Sequence, residues 1–339
     1  MISHSWQITG RFGLDALQWV PGAVPVPAAG EVRLKVRAVS INYRDLLMVR
    51  GHYNPRQPLP LVPGSDCVGV VDAVGEGVDP SQLGRRVCVA FNPGWREGPI
   101  PPSATRTTLG GPVRGVFAEH VVVSAQAIVT PPEHWTDAEC ATLPCAGVTA
   151  WRAVVVEGRV RPGQTLLTLG TGGVSLYALQ LGKLIGARVC ITSSSHDKLA
   201  RAAALGADHG ICYTDDPRWG RTAAAWAGQG VHTVVELGGA GTLQQSLRAV
   251  RTGGTVALIG VLAGVKSELA LTSVLMRHVR VQGIFVGSVD DLSDLCAALR
   301  QAPEVRPVLD RTFPLTELPE ALQWMADGRH FGKVALEVR

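Results

Sequence analysis

Residues 165–192 contain the sequence feature that most constrains how this chain folds. The apolar run Thr165–Leu169 predicts a buried strand, and residues 176–184 predict a helix. The glycine-rich turn Gly170-Thr171-Gly172-Gly173-Val174-Ser175 lies between them, and a second strand-like run, residues 187–192, follows. A strand, a glycine turn, a helix and a further strand form the first half of a doubly wound α/β unit of the dinucleotide-binding kind.

The residues of this turn have separate predicted roles. Gly170 permits a tight turn, and Gly172 lets the backbone approach a pyrophosphate. Gly173 and Val174 complete the predicted cofactor-binding turn. The N-terminus of the helix that follows offers unpaired N–H groups and a positive dipole end to that phosphate. Ser175 replaces the third glycine of the motif, but because serine is small the helix can still pack closely on the strand. An ordinary turn between a strand and a helix is the alternative.

Length and composition exclude several other classes. A chain of 339 residues with 46% hydrophobic residues is long enough for two domains with sizeable cores. The net charge of +4 is not clustered and does not alternate with aromatic residues, so nucleic acid is not an expected partner. No signal peptide and no run of about 18 apolar residues is found, so no membrane association is expected. Seven scattered cysteines without a CxxC pair are typical of reduced thiols in the cytoplasm.

The two parts of the chain differ in their predicted secondary structure. Short strands separated by Gly and Pro turns predict a small barrel-like β domain, at residues 31–39, 68–75, 86–90 and 118–123. Residues 92–115 are rich in Pro, Gly, Thr and Arg and predict a long surface loop. After about residue 137, helices alternate with strands, including buried parallel-type strands at 231–236 and 254–259. From about Ser288, two helical patterns precede a closing strand at 333–338.

Four further segments carry a family resemblance: residues 63–71, 115–121, 143–151 and 205–208. With the glycine turn, they resemble the medium-chain dehydrogenase/reductase superfamily over nearly the whole chain. The resemblance implies an α/β fold with a GroES-like β-rich catalytic domain, residues 1–136 with 288–339, and a Rossmann domain with a doubly wound parallel sheet, residues 137–287. It also implies an oligomer formed through an edge strand near 261–287, for which the apolar run 279–286 is suitable unless it is an interior strand. We expect a homodimer, with a tetramer as the alternative.

The resemblance also bears on zinc. Zinc alcohol dehydrogenases hold a catalytic zinc with Cys, His and Cys, and the matching positions here are Asn42, Ser65 and Cys145, beside Asp66. Asn and Ser are poor zinc ligands. The lobe that carries the structural zinc matches roughly residues 92–115, which contain no cysteine. We therefore expect no metal, and the chain resembles the zinc-free branch that includes quinone oxidoreductases and enone or enoyl reductases.

The end of the second Rossmann strand predicts which nicotinamide cofactor binds. Ser193 stands where NAD sites usually have a carboxylate, and the hydroxyls of Ser193 and Ser194 can donate to a 2′-phosphate. In quinone oxidoreductases a lysine and a tyrosine matching Lys198 and Tyr213 clasp that phosphate, although a lysine on a solvated helix face is the alternative. We expect NADPH rather than NADH. The resemblance further implies cofactor contacts from Asn42, Thr149, Gly260 and Val261, and from Lys333 at the pyrophosphate.

The predicted chemistry is hydride transfer to a small-molecule quinone or α,β-unsaturated carbonyl. Without zinc, the developing oxyanion needs hydrogen-bond or proton donors. Tyr53 is the first candidate, Tyr43 the second and His52 the third, while Asn42 can donate its amide to the substrate or to the ribose. Asp45 is expected to order the loop, against Arg44. The alternatives are a zinc-free alcohol or carbonyl dehydrogenase and a non-enzymatic NADPH-binding protein.

Overall fold

A computed structural model describes residues 2–338 of the chain. These residues form two compact units, Met1–Val148 together with Gly287–Arg339 (unit 1) and Thr149–Val286 (unit 2). The domain boundaries after residues 136 and 287 stay a prediction. Among the described residues, no helix combines the length and the apolar character needed to cross a bilayer.

The regular elements are numbered along the chain. The strands are β1 (Ile2–Ile8), β2 (Leu17–Ala23), β3 (Glu31–Ile41), β4 (Asp66–Val74), β5 (Arg86–Val89), β6 (His120–Ser124), β7 (Ile128–Val129), β8 (Thr165–Leu169), β9 (Arg188–Ser193), β10 (His209–Cys212), β11 (Val231–Glu236), β12 (Val250–Leu258), β13 (Arg280–Gly283), β14 (Leu309–Pro314) and β15 (Lys333–Glu337). The α-helices are α1 (Tyr43–Val49), α2 (Asp137–Cys140), α3 (Val148–Trp151), α4 (Gly173–Ile185), α5 (His196–Ala204), α6 (Trp219–Trp226), α7 (Leu243–Ala249), α8 (Thr272–Leu275), α9 (Val289–Arg300) and α10 (Leu318–Ala326).

Unit 2 is built on a six-stranded sheet in the order β10-β9-β8-β11-β12-β13. All of its strand pairs are parallel. The central strand β8 is buried at every position, which explains why its sequence is a continuous apolar run rather than an alternating one. The order, with the chain turning from β8 towards β11, is that of the doubly wound dinucleotide-binding fold. The predicted parallel sheet is confirmed.

Unit 1 contains a sheet in the order β14-β15-β3-β4-β5-β7, with β6 also paired to β3 and a separate β1-β2 hairpin. Its pairs are antiparallel except β14-β15. The alternating face of β3 enters an apolar core that includes Val32, Leu34 and Val36. The predicted β-rich domain is therefore confirmed, and the last strand of the chain, β15, lies inside its sheet next to β3.

The interpretation of residues 92–115 as a surface loop is wrong in part. The segment contains no strand or α-helix, as expected, but Asn92 and Trp95 are buried. The Asn92 amide donates to the carbonyl of Ala104, 2.6 Å away, and its oxygen accepts from the Thr107 hydroxyl at 2.7 Å. Because this side chain bonds to groups within the loop, it holds buried residues of the segment in place without a strand or an α-helix, while residues 96–100 stay exposed.

Candidate functional site

The glycine turn of unit 2 leaves the start of α4 open. Gly170 has φ +74°, a left-handed conformation that favours glycine, so the predicted tight turn is present. A side chain added at Gly170 or Gly172 would meet no atom within 4 Å. Gly172 is the N-cap of this 13-residue helix and supplies no capping side chain, so the first-turn N–H groups keep their capacity for an anion. Ser175 donates to the Leu169 carbonyl at 2.6 Å and fixes the helix to β8.

The hydroxyl-rich end of β9 is ordered by its own side chains. The Ser193 hydroxyl is buried and accepts from the backbone N–H of Ser195 at 3.2 Å. Ser195 caps α5 by accepting from the N–H of Lys198. The backbone N–H of Tyr213 donates to the carbonyl of Ser193 at 3.0 Å, which brings the start of the next turn to this strand end. The predicted 2′-phosphate residues Ser193, Ser194 and Tyr213 therefore belong to one local region of unit 2.

A histidine, a cysteine and an aspartate also meet in this region. Ligand atoms of His196, Cys212 and Asp215 lie within 4.8 Å of one another. His196 and Asp215 are exposed and form a 2.7 Å pair, while the Cys212 sulfur contacts the Thr214 hydroxyl at 3.0 Å. The His196 contact lowers the pKa of the Asp215 carboxyl. The group is separate from the zinc positions, which belong to unit 1.

Glu236, at the end of β11, is a structural residue that the sequence interpretation missed. Its fully buried carboxylate accepts hydrogen bonds from the N–H groups of Gly238 and Gly239 at 2.8 and 3.0 Å, and from the hydroxyls of Thr242 and Ser246. Its carbonyl accepts from the N–H of Ile259, which positions the predicted cofactor segment Gly260–Val261. An acidic residue closing an apolar strand just before a glycine pair was the available signal.

In unit 1, Asn42 begins α1 as its N-cap, and the Asp45 carboxylate accepts from the backbone N–H of Asn42 at 2.8 Å. Asp45 therefore does order this loop. Burial raises the pKa of Asp45 to about 6, Arg44 opposes that shift, and the charge of Asp66 adds to it. The guanidinium of Arg44 lies 3.6 Å from Asp45 and 5.0 Å from the ring centre of Tyr53.

The three candidate proton donors are all exposed to solvent. Tyr53 and Tyr43 are 44% and 42% exposed, and His52 is exposed as well. Arg44 also donates to the carbonyls of Leu109 and Gly111, so the cation against the Tyr53 ring is fixed by backbone. Thr149 is buried at the start of unit 2. The catalytic and cofactor roles of these residues stay predictions.

Around the positions that match the family's zinc ligands, unit 1 holds a buried ammonium. Lys333 is 4% exposed, and its Nζ donates to Asn42 Oδ1 at 2.6 Å and to the Ile41 carbonyl at 2.7 Å. The same Nζ lies 3.6 Å from Asp66 Oδ2. Asp66 accepts from the hydroxyls of Ser65 and Ser40, each at 3.0 Å.

This donor set does not fit a zinc ion. The Asn42 carbonyl oxygen is already occupied by a cation, and the Ser65 hydroxyl donates rather than presenting an anionic ligand. Burial, reinforced by the charge of Asp66, raises the pKa of the Cys145 thiol far above its usual range, whereas zinc needs the thiolate.

Two family descriptions match the chain. "Alcohol dehydrogenase GroES-like domain" matches residues 28–133, and "Zinc-binding dehydrogenase" matches residues 173–301. Together with the parallel sheet, the glycine turn and the β-rich unit, they define an oxidoreductase fold. The chain belongs to the medium-chain dehydrogenase/reductase superfamily.

Within that superfamily its similarity is to zinc-type alcohol dehydrogenase-like proteins. A protein of that description from Schizosaccharomyces pombe is 41% identical, over 96% of each chain. A solved structure from Sinorhizobium meliloti, named as a candidate alcohol dehydrogenase, has a TM-score of 0.92 and 39% identity, and covers 99% of this chain and 98% of its own. An acryloyl-coenzyme A reductase from Metallosphaera sedula is 30% identical, over 92% of this chain and 93% of its own.

Proposed function

We propose that this protein is an NADPH-dependent, zinc-independent oxidoreductase that transfers hydride to a quinone or an α,β-unsaturated carbonyl. The observation that carries the proposal is the Lys333 ammonium, bound to Asn42 Oδ1 among the residues that match the zinc ligands of the family. A lysine ammonium held at the positions of the zinc ligands supports a reaction that uses no Lewis-acid metal.

The Lys333 ammonium at the positions that match the zinc ligands also bears on the substrate class. Hydride addition to a simple carbonyl leaves a localised alkoxide, which needs a stronger electrophile or proton donor beside the oxygen than a delocalised anion does. Addition to an enone or a quinone leaves an anion that is delocalised over several atoms and that ordinary hydrogen-bond donors can stabilise. The relative named as an acryloyl-coenzyme A reductase, whose name implies reduction of an activated carbon–carbon double bond, supports this class.

Residues of unit 2 support the proposed cofactor. The nicotinamide, when bound, supplies the hydride. Gly170, Gly172, Gly173 and Val174 would hold its pyrophosphate at the open start of α4. Ser193, Ser194, Lys198 and Tyr213 would bind the 2′-phosphate, and the absence of a carboxylate at Ser193 favours NADPH. Thr149, Gly260 and Val261 would bind the nicotinamide side.

The reaction then needs one proton and one oxygen-binding donor. Hydride joins the β-carbon of the substrate, and the electron pair of the double bond moves towards the carbonyl oxygen. Asn42 donates its amide N–H to the substrate oxygen. Tyr53, with Tyr43 as the second candidate, delivers the proton directly or through water, to the α-carbon of an enone or to an oxygen of a quinone. The guanidinium of Arg44 lies 5.0 Å from the ring centre of Tyr53 and holds that ring in place.

We also propose a homodimer in the reducing cytoplasm. The seven cysteines are free, as expected of reduced thiols. Strand β13 lies at one end of the sheet of unit 2, and apolar residues near it are exposed, with Leu271, Leu275 and Met276 at 72%, 71% and 74%. A second copy covering this surface would remove it from water.

A second function, zinc-free alcohol or carbonyl dehydrogenase, is favoured by the names of the S. pombe and S. meliloti relatives. The same residues would serve hydride transfer to or from a carbonyl carbon. It predicts turnover of simple alcohols or aldehydes without turnover of enones or quinones.

The test compares NADPH and NADH binding by nicotinamide fluorescence and then turnover with an enone, a quinone, an aldehyde and an alcohol, each with and without a chelator. We expect NADPH preference and chelator-insensitive reduction of the enone or quinone. Ser193→Asp should weaken NADPH binding more than NADH binding, while Ser267→Asp, at an exposed serine of the same unit, should not. Chelator-sensitive turnover, or NADH preference, would contradict the proposal.

A further inference from the structure

The side-chain amide of Asn42 is held in one orientation by Lys333. An ammonium group has only donors, so the amide atom 2.6 Å from Lys333 Nζ must be the carbonyl oxygen. The Asn42 Nδ2 group therefore points away from the lysine. Without the lysine, the amide could turn over and present its oxygen instead, because the two ends of the group have nearly the same shape.

Lys333 is itself rigidly placed. It is the first residue of β15, whose next residue, Val334, pairs with Ile41 of β3, and the lysine Nζ donates to the carbonyl of Ile41. Asp66, fully buried and bonded to two serine hydroxyls, supplies the opposite charge 3.6 Å from Nζ. A buried cation with a counter-ion and two carbonyl acceptors has little freedom to move. The orientation of the Asn42 amide is therefore set before any ligand arrives.

The freed end of the amide has no acceptor. Asn42 Nδ2 is buried and makes no hydrogen bond within residues 2–338. A buried donor without a partner is unfavourable, and such a group is stabilised when a ligand oxygen displaces the atoms that cover it and accepts the bond.

We propose that Lys333 is a positioning residue that fixes the Asn42 amide with its N–H group towards the ligand oxygen. This inference rests on the proposed hydride-transfer function. It gives Lys333 a role other than contact with the cofactor pyrophosphate: its positive charge acts through Asn42, in the part of unit 1 where metal-dependent relatives would place zinc. The charge on the ammonium also polarises the amide, which strengthens its remaining N–H donors.

A double-mutant cycle tests the coupling. Asn42→Ala and Lys333→Met should each lower kcat for enone or quinone reduction by roughly tenfold to a hundredfold, the scale of one charge-assisted hydrogen bond. The Asn42→Ala/Lys333→Met double variant should be no slower than Asn42→Ala alone, since Lys333 acts only through the amide. The Kd of Lys333→Met for NADPH should stay near the wild-type value. Lys35→Met, at an exposed lysine of the same sheet, should change neither quantity.

A charge-balanced variant separates the loss of the amide's orientation from a loss of stability. Removing Lys333 alone leaves Asp66 buried without its cation, so Lys333→Met/Asp66→Asn keeps the cluster neutral. If this variant is folded and still shows the loss of kcat, the loss comes from the amide and not from unfolding. Additive losses in the cycle, or a raised Kd for NADPH in Lys333→Met, would overturn the proposal and support direct contact of Lys333 with the cofactor.

A spectroscopic test is independent of activity. The chain has three asparagines, Asn42, Asn54 and Asn92, so selective ¹⁵N-asparagine labelling gives a small set of side-chain amide signals. Lys333→Met should shift the Asn42 pair and leave the other two in place, whereas Lys35→Met should shift none. An unchanged Asn42 pair would show that the bond does not exist in solution. If the bond is present but no substrate is turned over by the wild type, the proposed function fails while the Lys333–Asn42 contact stands.

Discussion

At the scale of single residues, Arg44 connects the start of α1 to the candidate donors. Its guanidinium contacts Asp45, lies 5.0 Å from the ring centres of both Tyr53 and Phe91, and donates to the Leu109 and Gly111 carbonyls. One side chain thus ties the helix, a tyrosine and the irregular 92–115 segment together. Sequence placed Arg44 and Asp45 next to each other, but only the fold shows what else the arginine holds.

Tyr53→Phe tests the donor assignment. The substitution keeps the ring beside Arg44 and removes only the hydroxyl, so we expect kcat to fall by about tenfold or more, with NADPH affinity near normal. The measurement is steady-state reduction of the accepted enone or quinone, with Tyr43→Phe made in parallel. Unchanged turnover in Tyr53→Phe would remove Tyr53 as the proton donor.

Asp45 predicts a pH dependence of stability. Its pKa is about 6 in the folded chain, against about 3.9 in an unfolded one, so the folded state binds the proton more tightly between these values. This residue's contribution to the free energy of unfolding is thus largest below pH 4 and falls by up to about 3 kcal/mol as pH rises to 6. Arg44 and Lys333, which oppose the shift, and Asp66, which adds to it, set its size.

The check is urea unfolding between pH 4 and 7. Asp45→Asn keeps an oxygen for the Asn42 N–H but cannot titrate, so its stability profile should lack this decline. Glu76→Gln, at an exposed carboxyl of the same unit, should keep the wild-type profile. A decline of equal size in wild type and Asp45→Asn would assign it to another group.

At the scale of elements, the turn after β11 depends on one carboxylate. Glu236→Ala would leave the N–H groups of Gly238 and Gly239 and two hydroxyls without their acceptor, at a cost of about 3 kcal/mol. Glu236→Gln should cost less, because its oxygen can keep the two glycine bonds and the Ser246 hydroxyl can reverse its role. Hydrogen exchange should show lost protection at residues 238–242 in the alanine variant, and equal protection would contradict the assignment.

Elements were predictable where burial was uniform. The runs that became β8 and β11 are buried at nearly every position, because both faces of a parallel sheet are covered, and their bounds match the prediction. β14 was missed because Leu309-Asp310-Arg311-Thr312-Phe313-Pro314 has no periodic apolar face. The glycine turn was recognisable from the sequence because its conformation requires glycine. Gly170 has a left-handed backbone conformation that few other residues adopt.

At the scale of the whole molecule, the family and both folds were predictable, whereas the cluster around Lys333 was not. Asn42, Asp66 and Lys333 are distant in sequence, and only strand pairing brings them together. Each was identified from the family positions alone, with zinc ligation or the pyrophosphate as its expected context. Their mutual contacts depend on register, which a residue pattern does not specify.

The proposed dimer gives a prediction at this scale. Leu275→Glu/Met276→Glu should shift the protein towards the monomer, since it places two charges in an exposed apolar surface that a second copy would cover. Sedimentation velocity measures the outcome. Leu83→Glu, at an exposed leucine of unit 1, is the matched control and should leave the assembly unchanged. A dimer that survives the double substitution would place the interface elsewhere.

The position of β15 also has a consequence for synthesis on the ribosome. Lys333 bonds to Ile41 across 292 residues of chain, so β3 emerges long before its partner strand exists. At roughly 5–20 residues per second, that gap lasts on the order of half a minute. Unit 2 is continuous in sequence and can complete its sheet during the interval. In unit 1, β6 can pair with residues 31–35 of β3 early, whereas residues 38–41 lack their β15 partner until that strand is made. Nascent chains stalled before residue 333 would therefore carry a folded unit 2 beside a unit 1 still open to chaperones.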